Sequence, residues 1–119
     1  RRDGAAYRLA LEDFSRHLRS WTQAEERSLV PAVARSVDCP RHAPRELRVE
    51  LVQVRELTRF LLEQIGTHSP LADVLGLIDN LDRRLAAHES QLLSEYFPAS
   101  ASILTEEEWR DLREHAPRD

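Results

Sequence analysis

Two stretches of this sequence follow one pattern: WTQAEERSLVP, which begins at Trp21, and HESQLLSEYFP, which begins at His88. Trp21 and Glu25 in the first stretch correspond to His88 and Leu92 in the second, and a proline ends both. Residues four apart lie on one face of a helix, so each pair points toward the same object. Each copy keeps one polar member and carries an apolar side chain in place of the other. The pattern predicts two helices of a metal-site scaffold whose ligands have largely been replaced.

The composition favours helices and a single domain. Charged residues make up 32% of the chain and aromatic residues 6%, and only three residues are glycine, which is typical of an all-α protein. A chain of 119 residues is long enough for one core, so we expect one domain over residues 1–119. Arginine replaces lysine throughout the sequence, which indicates a GC-rich, bacterial source.

Charge and hydropathy exclude several classes of protein. The net charge is -4 and no basic run occurs, so the chain lacks the footprint of a nucleic-acid-binding protein. No stretch reaches the roughly 20 apolar residues that span a bilayer, so we expect no membrane partner. A lone cysteine, Cys39, allows no internal disulfide and suits a reducing cytoplasm.

Apolar positions at helical spacing predict three long helices and one short C-terminal helix, over residues 5–37, 44–66, 70–98 and 105–115. Pro31 is expected to kink the first helix or end its regular part, and Pro98 to end the third. Ser69 is the predicted cap of the third helix, and Thr105 with Glu108 forms a capping box ahead of the short one. Short connections predict antiparallel neighbours, which gives an all-α, up-down helical bundle.

Three segments resemble the hemerythrin-like, or HHE cation-binding, family of four-helix bundles. Phe14 to Pro31 resembles the second family helix, where a histidine, a glutamate four residues later and a proline recur. The segment from Glu50 to Leu61 resembles the third, which begins with Glu-His, and the segment from Leu85 to Pro98 resembles the fourth. The tail from Leu104 to Trp109 resembles the ending of many bacterial members. The resemblance implies a hemerythrin-like bundle and, in a complete member, a non-haem di-iron centre.

Carried over position by position, the resemblance gives a degenerate metal site. Glu25 matches a carboxylate ligand and His88 matches a histidine ligand. Apolar side chains stand at the other matched ligand positions, which are Trp21, Leu51 and Leu92. Two isolated donors do not hold two metal ions, so we expect no di-iron centre and no cofactor. Any metal would be non-haem iron at the residual donors Glu25 and His88.

The two surviving polar residues have two possible arrangements. An unpaired buried carboxylate costs several kcal/mol, so a deeply placed Glu25 should find a partner. In one arrangement Glu25 faces the edge of the bundle, and in the other it pairs with His88. We predict that both lie on the interior side of their helices, near enough for a direct or water-bridged contact. The apolar replacements predict a core in which five side chains are buried and mutually close: Phe14, Trp21, Leu51, Leu85 and Leu92.

These observations favour a non-enzymatic function, that of a structural or regulatory interaction module. Within the resemblance, the alternative is a non-haem iron protein that handles oxygen, nitric oxide or iron. A third possibility is a small-molecule binder that uses the cavity left by the lost metal. The first family helix would precede residue 1, so three helices should leave an apolar groove. We expect that groove to be covered by an upstream helix, a protein partner or a second copy in a homodimer.

Overall fold

The computed structural model describes residues 2–67 and 70–116, and the side chains from residue 8 onward except that of residue 71. The described residues form four helices and none of them lies in a β-strand, which confirms the all-α prediction. We number the helices α1 (2–35), α2 (Ala43–Gly66), α3 (71–100) and α4 (Glu106–Glu114). No described helix is long and apolar enough to cross a membrane.

The helix ends follow local chemistry where the structure describes them. Pro44 lies in the first turn of α2, where a missing N–H costs no hydrogen bond. The capping box of α4 is confirmed: the Glu108 N–H donates to Thr105 Oγ1 at 3.1 Å, and the Thr105 N–H donates to Glu108 Oε1 at 2.9 Å. The predicted cap Ser69 lies outside the described residues. Short sequence signals therefore predicted the starts of α2 and α4.

Each of the two matching stretches contains a π turn at the same place. In α1 it spans Glu25–Leu29, and in α3 it spans Leu92–Tyr96. The residue before each proline donates its N–H to a carbonyl five residues back, from Val30 to Glu25 and from Phe97 to Leu92. A proline ring clashes with the carbonyl four residues earlier and offers no N–H. The wider turn accommodates the ring, and both helices continue past their prolines.

The structure corrects our predictions for the two prolines, Pro31 and Pro98. The regular α-helical part of α1 ends at Ala24, several residues before Pro31, and the chain stays helical to Arg35. The prediction that Pro98 ends the third helix is wrong by two residues, because α3 continues to Ser100. Pro98 occupies the first turn of the α-helical segment that follows the π turn, where proline is tolerated.

The helix α2 lies at the centre of the packing, between α1 and α3. We call the C-terminal parts of α1 and α3, which contain Pro31 and Pro98, the proline ends of these helices. The start of α2 packs near both proline ends and the end of α2 packs near the beginnings of α1 and α3, so α2 runs antiparallel to both. One core cluster fills the proline end and includes Leu29, Val33, Leu47, Leu51, Leu92 and Tyr96. A second cluster fills the other half and includes Leu18, Val54, Leu61, Val74 and Leu81. Burying each such leucine or valine stabilises the bundle by about 1.5–3 kcal/mol.

The short helix α4 is held against α1 by charged groups. Asp111 accepts hydrogen bonds from Arg27 Nη2 at 2.6 Å, from Arg27 Nε at 3.0 Å and from Ser28 Oγ at 2.6 Å. The Arg27 guanidinium lowers the pKa of Asp111 below its ordinary value. Arg35 makes a second ion pair with Glu108 at 2.6 Å. These contacts hold the first turn and the middle of α4 beside the first helix.

Candidate functional site

Three helices bring one polar cluster together in the interior. His88 of α3 places its Nε2 atom 2.7 Å from Oε1 of Glu25 in α1. Its Nδ1 atom contacts Oε1 of Glu50 in α2. The side chains of Glu25 and His88 are each 1% exposed, whereas Glu50 is 27% exposed. We call Glu25, His88 and Glu50 the buried triad.

The charge of the imidazole is set by its two neighbours. Burial disfavours the protonated form, but the hydrogen bonds and attraction of Glu25 and Glu50 outweigh burial and raise the pKa of His88 to about 9. Burial also raises the pKa of Glu25 above its ordinary value, and the contact with His88 offsets part of that effect. We therefore describe His88 as an imidazolium at neutral pH that donates one N–H to each carboxylate.

The predicted approach of Glu25 and His88 is confirmed, and Glu25 does not face the bundle edge. Glu50 is the member that sequence reasoning missed, although it begins the pair Glu50-Leu51 in the segment that resembles the third family helix. Its position in sequence gave a weak signal, because Glu50 lies between the inward positions Leu47 and Val54 of the same helix. The second carboxylate oxygen of Glu25, Oε2, is buried and has no hydrogen-bond partner among the described residues.

The five predicted core residues do not all lie in the interior. Leu51 and Leu92 are buried in the same cluster, as predicted. Trp21 and Leu85 are partly buried and pack against the core from its edge. The prediction for Phe14 is wrong, because its side chain is 41% exposed. The apolar stripe of α1 continues past the point where α3 covers it.

The donor set does not fit a di-iron centre. Metal–ligand bonds to nitrogen and oxygen are about 2.0–2.2 Å long, so an ion cannot sit between His88 Nε2 and Glu25 Oε1 in this arrangement. The other ring nitrogen of His88 is occupied by Glu50. Among the described residues, no group of three or more His, Cys, Asp or Glu side chains is arranged to hold a metal ion. In this geometry Glu25 and His88 act as partners for each other.

A groove opens between α1 and α3 beside the buried triad. The two helices pack together at their proline ends, Val30–Arg35 against Phe97–Ser100, and leave a cavity of about 1100 Å³ between their earlier turns. Its apolar lining consists of Ala10, Phe14, Leu18, Trp21, Leu85 and Ala86. We call this cavity the α1–α3 groove. The last residue of α4 and the two residues after it, 114–116, also line the groove.

Trp21 forms the wall between the groove and the buried triad. It lines the groove, and its ring centroid lies 5.9 Å from that of His88. Trp21 also offsets part of the burial effect on the pKa of Glu25. A ligand in the groove would therefore contact a side chain that touches the triad. This makes Trp21 a natural fluorescent reporter for binding.

Comparison of the chain with protein-family models, with curated proteins and with solved structures finds no match. The hemerythrin-like resemblance therefore stays a prediction that is based on motif spacing. The four packed helices are shown by the structure, while the family is not.

Proposed function

We propose that this chain is a non-catalytic interaction module that binds a helix in the α1–α3 groove. The observation that carries the proposal is the apolar opening of about 1100 Å³ between two parallel helices that both pack on α2. The lining runs from Ala10 to Trp21 along α1, which is about 16 Å at 1.5 Å per residue. That length accommodates about three turns of another helix.

The chemistry of the groove supports a helix as the occupant. Phe14 lines the groove and is 41% exposed. Covering such an exposed apolar surface with another apolar surface is favourable. A helix with one apolar stripe satisfies its own backbone hydrogen bonds and presents only side chains to the groove. The free, half-buried Cys39 and the absence of lysine support our proposal of a bacterial, cytoplasmic setting.

Two features of the described residues argue against the alternative, a non-haem iron protein. Glu25 and His88 bind each other, and Leu51 and Leu92 fill core positions where further donors would be needed. Iron analysis of protein purified from iron-replete cells separates the two proposals. Stoichiometric iron with charge-transfer colour would favour the alternative over the interaction module.

Titration with a designed helical peptide tests the interaction module directly. The probe is a peptide of about 16 residues, long enough for four turns, with leucine and alanine on one face. Trp109→Phe leaves Trp21 as the only tryptophan, so its fluorescence reports occupation of the groove. We expect Phe14→Ser to weaken binding about tenfold or more, because about 1.4 kcal/mol of apolar contact corresponds to that factor.

The matched control is Phe60→Ser. Phe60 is 47% exposed, much like Phe14, but it does not line the groove. This substitution should leave peptide affinity unchanged within about twofold. Equal losses in both variants, or no binding by the parent protein, would contradict the interaction module.

A further inference from the structure

We propose that the α1–α3 groove selects amphipathic helices whose apolar face is flanked by Lys or Arg. This inference rests on the proposed function and adds the chemistry of the partner. Three helices contribute exposed carboxylates to the lining of the groove, and we call them its rim: Asp13 on α1, Asp82 and Glu89 on α3, and Glu114 on α4. A basic flank on the incoming helix would lie opposite these groups.

Few positively charged side chains lie near the groove, and the arginines among them form ion pairs with carboxylates of the same chain. Arg83 lies on the rim, but its Nη2 atom pairs with Asp79 at 2.9 Å. Asp13 is approached by Arg16 at 3.3 Å and by His17 at 3.5 Å, so its charge is partly offset. Within the described part of the chain, three rim carboxylates have no ion-pair partner: Asp82, Glu89 and Glu114. The rim therefore has unpaired negative charge.

The charged groups in the interior beneath the groove do not cancel the negative charge of the rim. The buried triad contains two carboxylates and one imidazole, and it lies behind Trp21. The chain as a whole also has a net charge of -4. A cationic flank is thus attracted by the rim and meets no buried excess of positive charge.

The same charges argue against a second copy of this chain as the occupant. In a two-fold dimer one face packs against itself, so the acidic rim of one groove would meet the acidic rim of the other. Like charges placed together across an interface repel each other and disfavour association. A separate helix with a basic border avoids that repulsion and covers the same apolar lining.

Three peptides with one apolar face and different flanks test the selection. Their flanks carry Lys, Gln or Glu, and each peptide is titrated into the Trp109→Phe protein at about 0.02 M and about 0.3 M salt. We expect the Lys peptide to bind at least about tenfold more tightly than the Glu peptide at low salt. The difference should shrink at high salt, because exposed charges are screened over about 10 Å or less at such ionic strength.

A pair of charge variants shows whether the effect is local to the groove. Glu89→Gln should reduce the preference for the Lys peptide about two- to threefold, since it removes one rim charge. Glu107→Gln removes an exposed charge of α4 outside the groove and should leave the preference unchanged.

The outcomes distinguish this inference from the function on which it rests. Equal affinity for the three peptides, or a preference for the Glu peptide, would overturn the charge selection and leave the helix-binding groove intact. Equal effects of Glu89→Gln and Glu107→Gln would also overturn it, because the attraction would then come from the net charge alone. Failure of all three peptides to bind would overturn both proposals.

Discussion

His88 donates to two carboxylates from two other helices, so one side chain links α1, α2 and α3. Removing one member of a buried ion pair leaves the other charge unpaired and typically costs about 3–5 kcal/mol. Such a cluster also fixes register, because Glu25, Glu50 and His88 meet at only one relative position of their helices. The protonation of one imidazole is therefore coupled to the packing of the whole bundle.

The free energy of unfolding should fall as the pH rises from 6.5 through 9. The pKa of His88 in the folded chain, about 9, lies above its ordinary value of 6.5, so the folded state binds this proton more tightly. The stabilisation is complete below pH 6.5 and is lost as the pH rises through 9. It amounts to about 3 kcal/mol, at about 1.4 kcal/mol per pH unit. Urea unfolding across this range measures it.

Two histidine variants control this measurement. His88→Gln should remove most of the fall between pH 6.5 and 9. His17→Gln should preserve it, because His17 is exposed and its ion-pair partner among the described residues is the exposed Asp13. Glu25→Gln should lower the pKa of His88, which NMR titration of the ring protons detects. A wild-type unfolding free energy that stays constant across this range would show that His88 is neutral in the folded protein.

At the scale of the helices, the register of α3 places one of two adjacent leucines inward and the other outward. Leu92 is 5% exposed and packs in the cluster at the proline end, while Leu93 is 66% exposed. We expect Leu92→Ala to lower the free energy of unfolding by about 2–5 kcal/mol, as for other packed leucines. Leu93→Ala should change it by less than about 0.5 kcal/mol. Denaturant unfolding of both variants would show a wrong register if the two losses were similar.

The helices were predictable because their signals are local. The capping box of Thr105 and the proline start of α2 depend on residues within one turn, and the structure has both. The π turns were not predicted, although Pro31 and Pro98 mark them. A proline can end a helix, kink it or widen the preceding turn, and packing around the turn decides among these.

The candidate site was predictable in part for the same reason. The inward faces of Glu25 and His88 follow from helical periodicity, so their approach could be expected. The contact of Glu50 with His88 depends on how α2 is placed against α3, which no local pattern gives. Phe14 fits the apolar stripe of α1 but lies on the groove, because burial depends on which neighbour covers each turn.

At the scale of the whole molecule, an elongated bundle of 52 × 25 × 18 Å leaves one side incompletely covered. An exposed apolar groove ordinarily favours self-association, because a second copy can cover it. The acidic rim opposes it, since a two-fold dimer through the groove would bring carboxylates together. The same groups can therefore keep the free protein monomeric and attract a basic helix. This dual role is open to a test that needs no partner.

We expect the 119-residue protein to be monomeric and the variant Asp82→Asn/Glu89→Gln to self-associate. The substitutions remove two unpaired rim charges and leave the apolar lining intact, so the opposition to pairing weakens while the gain from burial remains. Light scattering at rising protein concentration measures the mass. The matched control, Glu106→Gln/Glu107→Gln, removes the same net charge from the exposed start of α4 and should stay monomeric. A wild-type dimer, or equal self-association of both variants, would show that the rim does not govern access to the groove.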